Sequence, residues 1–168
     1  LAVHVAAGFV AVIAGALAAA ARKRPGRHPR AGTVYLAGHA VVFVTATAMT
    51  AIRPREDALL SAIALTAASL GWYGWRARRS RRPGWPRRHA IAMGGSYIVL
   101  LTGFYVDNGS QLPLWDRLPH LANWLAPAVV GVPLIWWALR RYRAGIGARA
   151  RAASPAPRRD RSTEETMP

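Results

Sequence analysis

Five histidines are the residues of this chain best suited to chemistry: His4, His28, His39, His89 and His120. Two imidazoles presented from different helices at one level supply what a haem iron needs, namely two axial nitrogens. A single imidazole buried among apolar side chains can instead relay a proton or contact a quinone, or simply bond to a neighbouring helix. Other chemistries are excluded outright. The chain has no cysteine, so it has no thiolate metal site and no disulfide framework. It shows no glycine-rich phosphate loop, nucleophile triad or carboxylate pair.

The elements that must position these histidines follow from where charge is absent. Of 168 residues, 52% are hydrophobic, yet the net charge is +16. The charges are gathered into short blocks that leave five charge-free windows: Leu1–Ala21, Ala31–Ile52, Ala58–Trp75, His89–Val106 and Leu118–Leu139. The shortest corresponds to ~27 Å of helix, close to the ~30 Å of a hydrocarbon core. Apolar residues surround each expected helix instead of forming one stripe, which does not suit a soluble bundle. The expected fold is an all-α integral membrane bundle of five transmembrane helices occupying residues 1–143. A disordered basic tail is expected over 144–168, where Ala, Arg, Pro and Ser dominate without an apolar period. The first window is not a secretory signal, because its basic residues follow the apolar run. The chain opens at Leu1 within that run, so either its start codon is an alternative one or its N-terminus is incomplete.

Lys and Arg number five in 22–30, two in 53–57, seven in 76–88, one in 107–117 and eight from 140 onward. This alternation predicts an outside N-terminus and a cytoplasmic C-terminus, in a multi-pass protein of a bacterial inner membrane. It also accounts for the basic residues without nucleic acid, since anionic lipids at the cytoplasmic Arg clusters are sufficient partners. Tyr35, Trp72, Trp75, Trp136 and Trp137 fall near the basic ends of their windows, and Tyr105, Trp115 and Trp124 near the others, as an aromatic belt requires.

With the windows centred on the bilayer, His4 and His120 lie ~10–13 Å outward of the midplane and His39 lies ~4 Å inward. His89 lies roughly 13 Å inward, level with the loop that carries His28. His4/His120 and His28/His89 therefore match in depth as candidate haem b ligand pairs, and His39/His89 do not. Gly8, Ala11 and Gly15 leave a small-residue face beside His4, which suits a flat cofactor or close helix packing. His39 has Tyr97, Thr66 and Ser96 as candidate hydrogen-bond partners. Asn108-Gly109 signals a turn, and Asp107 with Asp116 would make a poor calcium site. Pro127 and Pro133 should kink the fifth helix and free carbonyls, a feature that lines substrate sites in transporters.

His4, Gly8, Gly15, the basic stretch from Arg22 to His28, Gly32 and Tyr35 together resemble the start of a family of predicted bacterial membrane proteins, the domain of unknown function 2306 family. Tyr105 to Gly109, Leu112 to Trp115 and the helix with Pro127, Gly131 and Pro133 fit it too. The resemblance covers roughly residues 1–143. It implies a small integral membrane protein and carries over no catalytic residue. Three functions stay open at this point: a redox-linked protein using haem or quinone, a non-catalytic assembly or structural subunit of a membrane complex, and a small-molecule carrier.

Overall fold

The computed structural model describes residues 1–153 apart from Arg24 and Leu114. Five helices follow one another: α1 (Ala2–Ala20), α2 (Arg27–Ile52), α3 (Pro54–Ser80), α4 (Trp85–Asn108) and α5 (His120–Ala153). Two short 3-10 turns, Gly109–Gln111 and Trp115–Arg117, join the last two. All five helices are long and apolar enough to cross a membrane.

The closest helix pairs are the hairpins α1–α2 and α3–α4. They join through α2 on α3, and α1 touches α4 more lightly, closing a four-helix ring. α5 packs on the outside of α4, and α1 and α5 do not form a packed pair. The inward faces are read from helical spacing. Tyr35, Gly38, His39, Val42 and Ala46 are the buried residues of α2, and Ala67, Gly71, Gly74 and Ala77 those of α3. Small residues dominate these faces and let the helix backbones approach closely. Large apolar side chains point outward instead, among them Phe9, Ile13, Leu65, Val129 and Leu134.

Each hairpin turns on a Pro-Gly pair. Gly26 has φ 113° and Gly84 has φ 78°, both in the region where a Cβ is strained. α2, α3 and α4 start earlier than their charge-free windows because proline is tolerated in a first turn. α3 opens on Pro54, and Pro86 lies in the first turn of α4. His28, expected in a loop, is for the same reason in the first turn of α2, ahead of Pro29.

One further expectation changes. α5 continues through Ala153, covering residues 144–153 that were expected to be unstructured; Ala and Arg are among the strongest helix formers. The remainder of the tail lies outside the described residues. Pro127 and Pro133 lie inside α5, which runs through both as one helix. At Asn108-Gly109 the backbone stays right-handed, with Gly109 at φ −56°. Glycine is needed there for closeness: a Cβ would lie 2.6 Å from the Asn123 amide.

Candidate functional site

The basic end of the bundle brings His28 and His89 together. His28 Nδ1 donates to the Ala18 carbonyl at 2.8 Å, and His89 Nδ1 donates to the Gly74 carbonyl at 2.9 Å. A carbonyl can only accept, so the proton of each neutral ring sits on Nδ1 and the Nε2 lone pair is left for a ligand. The ring centroids are 6.3 Å apart and the planes stand at 87°. Two imidazoles that share one metal at about 2 Å per nitrogen stand about 6 Å apart centre to centre.

The tethers follow from helix chemistry. Ala18 is near the end of α1, where carbonyls lack intrahelical donors. Lys23 Nζ also donates to Ala18 and Ala19, at 3.0 and 2.8 Å. Burial against this end holds the Lys23 ammonium below the usual lysine range. Gly74 lies inside α3, so its carbonyl uses a second lone pair for His89. A Cβ on Gly74 would meet Met93 Cγ and Sδ at 2.9 Å, so glycine sets the approach of α4 and with it the reach of His89.

One layer deeper, Tyr35 and Ser96 meet at 2.7 Å. Ser96 Oγ donates to the Ala67 carbonyl at 2.9 Å. A hydroxyl has one proton, so the Tyr35 O–H must be the donor to Ser96. Tyr35 follows His28, and Ser96 follows His89, by seven residues in each case (28 to 35, 89 to 96). The two hairpins thus place two successive cross-pairs between α2 and α4.

His39 is next along α2. Its ring stands edge-on to Tyr35 at 5.4 Å. It is 3% exposed, and its Nδ1 is buried without a hydrogen-bond partner. None of the three expected partners takes it: Ser96 serves Tyr35 and Ala67, Tyr97 donates to the Val12 carbonyl, and Thr66 donates to the Ala62 carbonyl. Hydroxyls in helices often satisfy themselves on a backbone carbonyl, and sequence spacing does not reveal which ones do.

The other depth-matched pair is not brought together. His4 Nδ1 bonds Thr45 Oγ1 at 2.8 Å, on the α1–α2 hairpin. His120 is exposed at the start of α5, which packs on α4. An expected equal depth carries no information on the order of helices around the ring. Gly8, expected to clear room beside His4, does face open space, with nothing within 4 Å of a built Cβ.

No group of three or more His, Cys, Asp or Glu side chains suited to a metal ion occurs among the described residues. A bare ion would need three or four protein ligands, whereas a haem needs two axial ones. Lys23 and Arg78 lie close enough to act electrostatically on both rings. Those cations oppose a free metal cation and suit the carboxylates of a porphyrin. The ring of Trp85 lies 6.3 Å from that of His89, and Gly32, one turn beyond His28, has nothing within 4 Å of a built Cβ. On donor set and surroundings, the residues present fit a haem better than an ion. No family model matches the chain, and neither a curated protein nor a solved structure matches it.

Proposed function

We propose that this chain is a redox-linked multi-pass membrane protein that holds a b-type haem between His28 and His89. The observation that supports this reading is the pair itself: two tethered imidazoles, 6.3 Å apart, with both Nε2 lone pairs left over. When bound, the haem supplies one-electron transfer. The chain's own residues do the rest. Ala18 and Gly74 fix the tautomer and direction of the rings, which is the usual role of a partner on the second nitrogen. Lys23 and Arg78 supply positive charge for propionates. Tyr35 and Ser96 close the layer beneath.

The proposal includes an orientation with the basic end in the cytoplasm of a bacterial inner membrane and the N-terminus outside, supported by the alternating Lys and Arg counts. Kinship with the domain of unknown function 2306 family belongs to the same proposal and adds no activity to it.

The test is spectroscopic. Purify the full chain from cells supplied with haem precursor, and titrate the colourless fraction with hemin. The expected result is a Soret band of a low-spin, two-imidazole haem. His28→Ala and His89→Ala should each abolish it, and His120→Ala should leave it unchanged. A chain that stays colourless, or a band that survives both single changes, would sink the reading.

A further inference from the structure

A second site is carried by the outward face of α3 at the basic end, independently of the histidine pair. Trp72, Trp75, Arg76 and Arg79 recur at helical spacing and so share a face. Together with Ser80 they line a groove of ≈ 380 Å³. The two indoles stand 4.9 Å apart at 31°. The Arg79 guanidinium carbon lies 4.9 Å from the centre of the Trp75 ring. Neither arginine meets a carboxylate: among the described residues one salt bridge forms, Arg53 with Glu56, on the α2–α3 connection at the opposite end.

We propose that this groove binds one anionic phospholipid with a hydroxyl-bearing headgroup, phosphatidylglycerol in type. The phosphate lies between Arg76 and Arg79, and the chains run along Trp72 and Trp75. Four observations converge on that occupant. The charge-free part of α3 ends at Trp75, so Arg76 and Arg79 stand at headgroup level and the indoles at the upper edge of the hydrocarbon. Arg79 lies over the Trp75 ring, and a guanidinium carries N–H donors enough for two phosphate oxygens. Seven Arg residues within 76–88 repel the cationic half of a zwitterionic headgroup. Ser80 Oγ already donates its proton to the Ala77 carbonyl at 3.0 Å, so it can only accept, which matches a headgroup hydroxyl.

A comparison is built into α5. Arg140 lies over Trp136 at 3.5 Å and Arg141 over Trp137 at 4.7 Å. These arginines carry equal charge at the same end of the bundle and lie outside the groove.

The experiment uses the full chain in detergent, titrated with phosphatidylglycerol or phosphatidylcholine and read by native mass spectrometry. Wild type should retain one phosphatidylglycerol and no phosphatidylcholine under conditions that strip bulk lipid. The charge-preserving change Arg79→Lys should weaken that binding about tenfold, the effect of losing one charge-assisted hydrogen bond. Arg140→Lys with Arg141→Lys should leave it unchanged. Thermal unfolding of each variant verifies that the fold is intact. If Arg79→Lys binds as wild type does, or if the α5 changes weaken binding equally, only diffuse charge is at work and the site is refuted. Equal retention of phosphatidylcholine refutes it as well.

Discussion

The direction of the proton between Tyr35 and Ser96 makes a prediction with an unusual sign. Tyr35 is 2% exposed and Ser96 0%. Replacing Tyr35 by Phe removes a donor, but Ser96 still gives its own proton to Ala67, so no buried N–H or O–H is orphaned. The expected cost is that of one ordinary hydrogen bond between helices, about 0.6–1 kcal/mol. Replacing Ser96 by Ala removes the acceptor and strands the Tyr35 hydroxyl in a dry layer. That costs about 1–3 kcal/mol. The Ala67 carbonyl keeps its helical partner and adds little. Once Ser96 is Ala, changing Tyr35 to Phe removes the stranded donor. The double variant should then be no less stable than Ser96→Ala alone. All three proteins would be unfolded reversibly in mixed micelles by increasing denaturing detergent, with helicity as the readout. Strictly additive losses, or a Tyr35→Phe loss larger than that of Ser96→Ala, would mean that the proton runs the other way or that the pair does not form.

Gly74→Ala should cost about 1–3 kcal/mol by overpacking against Met93 and should also weaken hemin uptake, both measurable on one preparation. Gly8→Ala, where a Cβ meets nothing within 4 Å, should stay within about 0.5 kcal/mol in the same assay. Lys23→Met removes two bonds to the end of α1; a loss of about 0.5–1.5 kcal/mol is expected, with faster amide exchange confined to the last turn of α1. A reporter active only in the cytoplasm, fused after Arg143, should be active, and the same fusion within 107–117 should be silent; the reverse pattern would overturn the orientation.

How much of this was readable beforehand depends on the physical scale involved. The five helices were readable because a charge in hydrocarbon is costly, so charge-free windows mark them directly. The level of each histidine along its helix was expected from the fixed rise per residue, and that expectation matched His28 with His89 and His4 with His120 alike. The choice between those pairs rests on which helices are neighbours, and nothing local to either histidine encodes that. The starts of α2, α3 and α4 were placed too late because the windows were bounded by charge, whereas each helix begins among charged residues with a proline in its first turn. The Tyr35–Ser96 bond was hidden because Ser96 was considered as a partner for His39. The matching seven-residue spacing after His28 and His89 was the signal that would have exposed it. The lone Nδ1 of His39 could not be foreseen, because whether Tyr97 and Thr66 bond to a neighbour or to a carbonyl is settled by rotamer.

The two hairpins bear on how the molecule is made. Within each, the histidine tether spans few residues, 28 to 18 and 89 to 74, so it can close as soon as that hairpin has left the ribosome. Contacts that unite the halves, such as Tyr35 with Ser96, span 61 residues and must wait for α4. Each half therefore matures with its imidazole already aimed, and the pair comes into being only when the halves dock. Capture of a ligand by both rings would then act as a late latch on biogenesis, pulling a loosely joined nascent bundle into its finished state and leaving an unfilled one open to proteolytic quality control.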